Sequence, residues 1–438
     1  MSVSDGRSLW SVTALAGPAL AELRGAAHAE VAIIGAGYTG LSAALHLAQG
    51  GKDVIVLEAA DIGACASGLN GGQVIAGVKH DPDVLEGMFG AALGARLIAT
   101  VAAGPDLVFD LIRAHAIECD AIRAGWLQPA ATAQALELLA RRVAQWQRRG
   151  APVELLTRKQ TADLLGSPRY HGSWIDRRGG SVQPLSYVRG LARAVLLAGS
   201  RIFCGSPALR LTRAAREWRI ELPRGTVTSP VVILATNAYT GRLADDVRRS
   251  LISVASVQIA TAPLPEALRR TVLPQGQAAS DTCRLLRYFR LDASGRLVMG
   301  SRGTLAGTVR ARDTRDHERA VREIFPQLAG VPVEYRWGGW VALTRDHLPH
   351  LHELAPGLLA GLGYNGRGVA LATVMGRLLA RRVLGAAVEE LGFPVTPLRP
   401  IALHRCARLT ARVGMQLLRA LDALTRERMR PTHGLGSP

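Results

Sequence analysis

The sequence predicts an α/β protein with two domains, one built on a parallel sheet with helices and one on an antiparallel sheet with a helix. Two apolar runs, Val31–Ile34 and Val54–Leu57, flank a glycine-rich turn and a helical segment. A second strand-like run, glycine turn and apolar helix occupies residues 357–382. Between these units, over residues 254–338, apolar and polar residues alternate as in half-buried strands, with one helix at about 314–325. The 438 residues, of which 48% are hydrophobic, suffice for two cores.

The net charge of +18 reflects composition rather than a basic stripe. Lys52, Lys79 and Lys159 are the lysines among the 53 basic residues, and the others are arginines spread along the chain. No helix-turn-helix, zinc-finger or RNP-type pattern accompanies this charge. We therefore do not expect a nucleic-acid partner.

The five cysteines lie far apart and include no Cys-x-x-Cys pair, which indicates a reduced compartment. The N-terminal segment lacks a basic start followed by an apolar core. The longest uncharged runs, such as residues 250–265, are shorter than the roughly 20 apolar residues of a membrane-spanning helix. These features predict a cytoplasmic protein.

The first glycine-rich turn has the spacing of a dinucleotide-binding βαβ unit. Gly35 permits the tight turn out of the strand, Gly37 lets the backbone approach a pyrophosphate, and Gly40 lets the helix pack close to the sheet. The helix would point its N-terminal amides at the phosphates. Glu58 lies at the end of the second strand, where its carboxylate can accept hydrogen bonds from ribose hydroxyls. The carboxylate would repel a 2′-phosphate, so the predicted cofactor is either FAD or NAD. The predicted contacts are Gly35, Ala36, Gly37, Tyr38, Thr39, Gly40 and Glu58.

A second glycine-rich segment, residues 63–74, contains too many small residues to predict a regular element. It is either a flexible loop or backbone wrapped closely around a flat ligand. Its place directly after the second strand favours a loop that runs along a pyrophosphate towards an isoalloxazine ring. The predicted contacts are Ser67, Gly68, Asn70, Gly71, Gly72 and Gln73.

With these two segments the chain resembles the D-amino-acid oxidase superfamily of FAD-dependent amine and amino-acid oxidoreductases, and within it the γ-glutamylputrescine oxidoreductase type. The resemblance implies a Rossmann-type (GR2-like) FAD-binding domain with an inserted substrate domain of antiparallel sheet plus helix. It also implies an adenine contact at Ala208 and contacts where a later apolar run ends in Ala235, Thr236 and Asn237.

The glycine turn at residues 363–369 separates a strand-like run from an apolar helix at 370–382. It is either a packing turn or a second helix N-terminus that faces the cofactor. The resemblance identifies it as the family's C-terminal flavin-contacting motif, beside the ring edge where negative charge collects on reduction. The predicted contacts are Gly363, Tyr364, Asn365, Gly366, Arg367, Gly368 and Val369.

The pattern changes and the resemblance together predict a discontinuous domain arrangement. An N-terminal arm and a basic helical tail flank an FAD-binding domain in three pieces and a substrate domain in two. The boundaries are 1–29 for the arm, 30–88, 178–247 and 345–385 for the FAD-binding domain, 89–177 and 248–344 for the substrate domain, and 386–438 for the tail.

The resemblance implies hydride transfer from the carbon beside an amine to flavin N5, hydrolysis of the imine to an aldehyde or keto product, and reoxidation by O2 with release of H2O2. An alkylamine with a pKa of about 10.4 is protonated near neutrality, so the site must favour the neutral amine. Lys79 and His80 are candidate bases by their position, and Arg336 and Asn365 complete the catalytic candidates.

Arginines on the alternating strands are candidates for a bidentate clamp on a substrate carboxylate, although each is as readily structural in a chain so rich in arginine. They are Arg287, Arg302 and Arg336. His347, His350 and His352 have neither nearby cysteines nor a helical spacing, so we predict no metal site.

Two positions depart from the family patterns. Leu69 stands where the γ-glutamylputrescine oxidoreductase type usually has arginine, which changes the contacts offered to substrate or to the flavin edge. The sarcosine oxidase branch carries a cysteine near Gly339 that links covalently to the flavin, and this chain has no thiol there. We therefore predict non-covalent FAD.

The tail predicts a basic amphipathic helix, with Leu403, Leu417 and Leu424 on its apolar side. Such a helix usually docks on its own protein, and contact with a membrane surface is the alternative.

The expected partners are a small amine or amino-acid substrate and O2. Two other functions stay open: a membrane-associated amino-acid dehydrogenase with a quinone acceptor, and a basic RNA-associated flavoprotein.

Overall fold

The structure is a computed structural model that describes residues 7–302, 309 and 311–404 together with 406, 410 and 414. The strands are β1 (Gly25–His28), β2 (Val31–Ile34), β3 (Val54–Leu57), β4 (Gln73–Val74), β5 (Trp126–Pro129), β6 (Val153–Leu156), β7 (Ser173–Asp176), β8 (Gly180–Ser181), β9 (Arg201–Phe203), β10 (Arg210–Ala214), β11 (Glu217–Leu222), β12 (Gly225–Ser229), β13 (Val231–Leu234), β14 (Ile252–Pro263), β15 (Ala278–Ser280), β16 (Arg287–Leu291), β17 (Arg296–Arg302), β18 (Val333–Leu343), β19 (His350–Ala355) and β20 (Leu358–Leu362).

The α-helices among these residues are α1 (Leu9–Thr13), α2 (Tyr38–Gln49), α3 (Ala66–Leu69), α4 (Pro82–Phe89), α5 (Ala91–Ala102), α6 (Gly104–Ala114), α7 (Ala133–Gln147), α8 (Arg158–Leu165), α9 (Pro184–Leu197), α10 (Asp245–Arg249), α11 (Glu266–Arg269), α12 (Arg315–Ile324) and α13 (Gly368–Val383). Short 3-10 helices cover Asn237–Tyr239, Ala311–Thr314, Pro326–Leu328 and Val388–Leu391.

A six-stranded sheet in the order β19-β20-β13-β2-β3-β9 contains the predicted βαβ unit. Its strands run parallel except for β19, which is antiparallel to β20. Helices cover one face, and a four-stranded sheet in the order β1-β12-β11-β10 packs on the other. Strands β2 and β3 are therefore buried along their whole length, which explains their continuous apolar sequences.

Helices α2 and α13 pack against each other at short range. A Cβ atom on Gly376 of α13 would come within 2.5 Å of the carbonyl oxygen of Thr39 in α2. Across the same contact, Ser42 Oγ donates a hydrogen bond to the Thr373 carbonyl at 2.7 Å. This packing brings two helix N-termini from distant parts of the sequence to one cavity.

The second large sheet has eight strands in the order β18-β14-β17-β16-β15-β5-β7-β6 and is antiparallel except between β15 and β5. One face packs on α8 and α12 through residues such as Ile259 and Phe289. Their neighbours Gln258 and Tyr288 face the opposite way and line a cavity. The predicted fold class, a Rossmann-type domain joined to an antiparallel sheet with a helix, is confirmed. The predicted domain boundaries stay a prediction.

The described part of the predicted N-terminal arm, residues 7–29, contains a helix and a strand. Helix α1 is capped by Ser8, whose Oγ accepts a hydrogen bond from Ser11 N, and Leu9 and Trp10 are fully buried. Strand β1 pairs in parallel with β12. A helix of five residues is too short for its apolar periodicity to be read from the sequence.

Two further segments differ from the sequence prediction. The loop after β3 contains α3, although its glycines and small residues predict no regular element. The chain between α4 and α7 contains β5, a strand that the sequence analysis does not predict. Strand β5 is four residues long, and its partners β7 and β15 lie far along the chain, so no local pattern reveals it.

One stretch of the described residues, Ala91–Ala114, is long and apolar enough to cross a membrane by length and composition. It contains Arg96, Asp106, Asp110 and Arg113, so it is not one of the uncharged runs of the sequence analysis. It comprises α5 and α6, and half of its most apolar part is buried in the fold. Both helices contact α13, as core helices do. The basic helix predicted for the tail lies mostly outside the described residues.

Candidate functional site

A cavity of about 300 Å³ lies between the carboxyl ends of the parallel strands and one face of the eight-stranded sheet. Its walls come from the turn after β2, the loop that contains α3, the end of β13, the inward faces of β14 and β16, and the start of α13. Ligands of open α/β sheets bind at this end of the strands. Segments spread over most of the sequence therefore converge on one site.

The turn after β2 is packed so closely that only glycine fits. Gly35 has a φ of 106°, and a Cβ atom there would lie 3.0 Å from the Ala235 carbonyl oxygen. A Cβ atom on Gly37 would lie 2.8 Å from Ser67 Oγ. That hydroxyl accepts a hydrogen bond from Tyr38 N at 3.1 Å, in the first turn of α2. The helix thus begins at the cavity wall, as expected of a phosphate-binding turn.

Glu58 directly follows β3, and backbone amides orient both of its carboxylate oxygens. Oε2 accepts a hydrogen bond from Ala36 N at 2.8 Å, and Oε1 accepts one from Ala60 N at 3.1 Å. Because Ala36 belongs to the glycine-rich turn, the first bond ties that turn to the second strand. The carboxylate lines the cavity, where it could also accept ribose hydroxyls.

Two amide side chains, those of Asn70 and Gln73, hold the loop after β3 in place through hydrogen bonds to the backbone. Asn70 Nδ2 donates to the Ser67 carbonyl at 2.8 Å, and its Oδ1 accepts from Gly72 N at 2.8 Å. Gln73 Nε2 donates to the Ala279 carbonyl at 2.9 Å. Both residues line the cavity, but their hydrogen-bonding groups are largely engaged with protein.

Four of the predicted contacts do not line the cavity: Gly40, Gly68, Gly72 and Gly363. Each is a point of close packing behind the wall. A Cβ atom would lie 1.9 Å from the Gly35 carbonyl oxygen at Gly40, 2.1 Å from the Gly63 carbonyl oxygen at Gly68, 2.2 Å from the Val182 carbonyl oxygen at Gly72, and 2.3 Å from Thr344 Cγ2 at Gly363. The remaining predicted contacts all line it.

The end of β13 is joined to the C-terminal glycine turn by Asn237. This residue has a φ of 43°, and its Oδ1 accepts a hydrogen bond from Gly363 N at 3.0 Å. Thr236 and Ala235 lie beside it on the cavity wall, and Ala208 lines the same cavity. The two segments implied by the family resemblance are therefore in direct contact.

Tyr364 and Asn365 fix the C-terminal turn to the core. Tyr364 Oη lies 2.5 Å from Thr39 Oγ1, and burial raises the pKa of its phenol well above the usual range. Asn365 Oδ1 accepts from Thr344 N at 3.0 Å, and its Nδ2 donates to the Gly363 carbonyl at 2.5 Å. The Asn365 amide is thus engaged in holding the turn.

Arg367 is a buried cation at the start of α13. Its Nη1 donates to the Ala76 carbonyl at 2.6 Å, and its guanidinium lies 5.7 Å from the centre of the Trp126 ring. Burial, and then the nearby Arg142, lower the pKa of this guanidinium to about 10. The side chain remains charged near neutral pH.

Two of the four candidate catalytic residues line the cavity, and the other two do not. Lys79 and Asn365 line the cavity. His80 does not, and its Nε2 lies 2.6 Å from the Asp346 carbonyl oxygen. Arg336 also lies outside the lining, where its Nη2 donates to Glu318 Oε1 at 2.9 Å. The geometry thus leaves Lys79 as the charged candidate that a substrate could reach.

The metal candidates, and the clamp candidates whose side chains the structure describes, lie outside the cavity lining. Arg287 is mostly buried and lies 3.5 Å from Glu323, while the Arg302 side chain is outside the described part of the chain. His350 and His352 stack with ring centres 5.3 Å apart. Across the described residues, no group of three or more His, Cys, Asp or Glu could hold a metal.

One wall of the cavity was missed by sequence reasoning altogether. It is the face of the eight-stranded sheet, formed in part by Trp126, Gln128, Ser256, Gln258, Ser280 and Tyr288. Polar residues two apart on a strand, with apolar residues between them, were the available signal. This alternation predicts that one face of the sheet is polar, but it does not predict which part of the protein or which ligand lies opposite that face.

The residues present fit FAD. Two long helices begin at the same cavity, a turn with little room for a Cβ atom at Gly35 and Gly37 adjoins one of them, and a carboxylate directly follows the second strand of the βαβ unit. These features suit a pyrophosphate and its ribose, and the sheet wall leaves space for a flat ring system beside the C-terminal turn.

This fold and site define a dinucleotide-binding α/β protein with a second sheet over the cofactor site. Residues 30–382 match the sequence profile of the DAO family, described as FAD dependent oxidoreductase. The chain is 35% identical over 386 residues to the gamma-glutamylputrescine oxidoreductase of Escherichia coli (strain K12), covering 87% of this chain and 89% of the relative. It is 34% identical over 393 residues to the probable oxidoreductase OrdL of Rhizobium meliloti (strain 1021), covering 88% and 90%. The chain therefore belongs to the DAO family of FAD-dependent oxidoreductases.

Solved structures show the same fold. The glycine oxidase from Geobacillus kaustophilus superposes with a TM-score of 0.69 at 22% identity, covering 81% of this chain and 94% of that one. The L-amino acid deaminase from Proteus myxofaciens superposes with a TM-score of 0.70 at 16% identity, covering 90% and 96%. The chain is an enzyme, an FAD-dependent oxidoreductase that acts on amines or amino acids.

Proposed function

We propose that this enzyme oxidises an amine of the γ-glutamylputrescine kind to an aldehyde, with O2 as the acceptor and H2O2 as a product. The observation that carries the proposal is the single cavity in which the FAD-family segments meet the polar face of the eight-stranded sheet. A relative that covers most of the chain is named gamma-glutamylputrescine oxidoreductase. When bound, FAD supplies the two-electron oxidation of the carbon–nitrogen bond.

Charge in the cavity supports a substrate that carries a carboxylate. The charged residues among its described lining are Glu58, Lys79 and Arg367. Glu58 is held beside the end of β3 by the Ala36 amide of the glycine-rich turn, in the part of the cavity suited to ribose. Lys79 and Arg367 place two cationic side chains on the rest of the cavity wall, so an amine joined to an α-amino acid should bind better than a bare polyamine.

Peroxide release over a panel of amines tests this proposal. The FAD-loaded enzyme should oxidise γ-glutamylputrescine with a kcat/KM about tenfold or more above that of putrescine, because one charge-assisted contact is worth about 1.5–3 kcal/mol. Sarcosine and D-amino acids complete the panel, and protein freed of FAD is the blank. Faster oxidation of putrescine would contradict the substrate class. Reduction of FAD by amine without peroxide would favour the quinone-linked dehydrogenase.

We also propose that FAD is held without a covalent bond and that the enzyme is cytoplasmic. Gly339 lines the cavity without a thiol, and the lining residue that carries one is Cys65. Burial, and then Glu58, raise the pKa of the Cys65 thiol to about 11, so it is protonated and weakly nucleophilic near neutral pH. The five cysteines are all free, as in a reduced compartment.

Acid precipitation tests the mode of FAD binding. All of the yellow colour should move to the supernatant, because denaturation removes every non-covalent contact. Flavin that sediments with the protein would contradict the proposal, and a Cys65→Ser variant would then show whether that thiol is the attachment point.

A further inference from the structure

Gln258 presents a buried hydrogen-bond acceptor to the cavity. The residue lies in β14, is fully buried, and lines the cavity through its side chain. Its Nε2 donates to the Leu69 carbonyl at 2.5 Å. Its Oε1 has no hydrogen-bond partner among the described residues. A buried acceptor without a donor is unusual and costly, and the position of Gln258 on the cavity wall lets a ligand supply that donor.

The orientation of this amide follows from its neighbours. Rotating it by half a turn would place Oε1 against the Leu69 carbonyl, so that two acceptors would face each other at 2.5 Å. The Leu69 carbonyl oxygen can only accept hydrogen bonds, and it also accepts one from Trp337 Nε1 at 3.2 Å. The end of Gln258 that faces the cavity is therefore the oxygen.

Nearby donors in the protein are engaged elsewhere. Tyr288 Oη shares a hydrogen bond of 2.7 Å with Ser256 Oγ. Arg290 Nε donates to the Gly71 carbonyl at 2.8 Å, and its Nη2 donates to the Val182 carbonyl at 2.7 Å. Gln73 differs from Gln258 in that protein groups bond both ends of its amide. Among the described residues, these donors leave Gln258 Oε1 open to a group that enters the cavity.

We propose that Gln258 Oε1 accepts a hydrogen bond from an N–H of the substrate amine and so selects amines that carry one. This inference rests on the proposed function. A neutral primary or secondary amine supplies the N–H, whereas a neutral tertiary amine does not. An amide oxygen also carries no formal charge, so it favours protonation of the amine less than a carboxylate would.

Replacing Gln258 with methionine tests the proposal, because methionine has a similar length and is a much weaker acceptor. For γ-glutamylputrescine, Gln258→Met should raise KM about tenfold with a smaller change in kcat, as expected when one hydrogen bond to substrate is lost. The wild-type enzyme should prefer γ-glutamylputrescine to its N,N-dimethyl derivative about tenfold, and the variant should lose this preference.

Gln277→Met is the matched control. Gln277 is 1% exposed and also has a buried Oε1 without a partner among the described residues, but it does not line the cavity. Its variant should leave KM and the preference between the two amines unchanged. Equal effects in both variants would show that a general loss of packing is responsible and would overturn the proposal.

The hydrogen-bond donor to Gln258 Oε1 could also be an N–H of FAD. The affinity of the protein for FAD distinguishes this donor from the substrate amine. Titration of the apoprotein with FAD should give the same Kd for the wild type and for Gln258→Met. A weaker Kd in the variant, with KM unchanged, would assign the donor to FAD and overturn the proposal. If no amine in the panel reduces FAD in the wild type, the proposed function and this inference both fall. If amines reduce FAD equally well in both proteins, only the inference falls.

Discussion

Gly40→Ala is expected to destabilise the protein strongly and to abolish tight FAD binding. Alanine normally stabilises a helix interior relative to glycine by about 0.5–1 kcal/mol. At this position of α2, however, the Cβ atom would lie 1.9 Å from the Gly35 carbonyl oxygen and 3.2 Å from Ile33 Cγ2. Neither neighbour is the end of a flexible side chain, so the helix must move away from the glycine-rich turn that it is meant to complete.

Gly87→Ala makes the same chemical change in α4, where no atom lies within 4 Å of the added Cβ. This control should unfold at an equal or slightly higher temperature than the wild type and bind FAD unchanged. Thermal unfolding of the apoprotein and titration with FAD measure both variants. A Gly40→Ala protein with wild-type FAD affinity would mean that the turn and helix need not pack this closely.

Trp10→Ala is expected to destabilise the protein and to weaken FAD binding, although Trp10 lies outside the βαβ unit. Trp10 is fully buried, and its Nε1 donates to the Asn70 carbonyl at 2.8 Å, in the loop that lines the cavity. Its ring packs edge-on against Trp337 at 5.6 Å and lies 4.8 Å from the Arg290 guanidinium. Truncation should lower the free energy of unfolding by about 3–5 kcal/mol.

The loop should respond as well, because the Asn70 carbonyl loses its donor and the neighbouring cation loses its aromatic partner. We therefore expect weaker FAD binding in Trp10→Ala, and Trp10→Phe, which keeps a ring but not the N–H, should fall between it and the wild type. Val12→Ala in the same short helix is the control, since Val12 is 50% exposed. Its effect should stay within about 0.5 kcal/mol. A Trp10→Ala protein that unfolds like the wild type would remove α1 from this role.

The sequence predicted the βαβ unit and both glycine turns because their signals are local. Gly35 and Gly37 lie in a run of six residues whose spacing alone specifies a tight turn between a strand and a helix. The C-terminal turn could be read in the same way, because its glycines lie between a strand-like run and an apolar helix. Such features require no knowledge of which strands become neighbours.

The substrate wall could not be predicted, because it depends on contacts between distant segments. Gln258 faces the cavity only through the register of β14 with β17 and β18, in which it pairs with Gly300 and Trp337. Trp126 enters through β5, whose partners lie far along the chain. A register shift of one residue would reverse every side chain, and local patterns do not fix that register. Helix α1 was missed because five residues are too few to show periodicity.

Anaerobic mixing of the FAD-loaded enzyme with γ-glutamylputrescine tests the central claim most directly. If the protein is an FAD-dependent amine oxidoreductase of this kind, the visible absorbance of bound FAD should disappear after the amine is added and return when air is admitted, with release of peroxide. Absorbance that stays unchanged with γ-glutamylputrescine and with every other amine and amino acid of the panel would contradict the account.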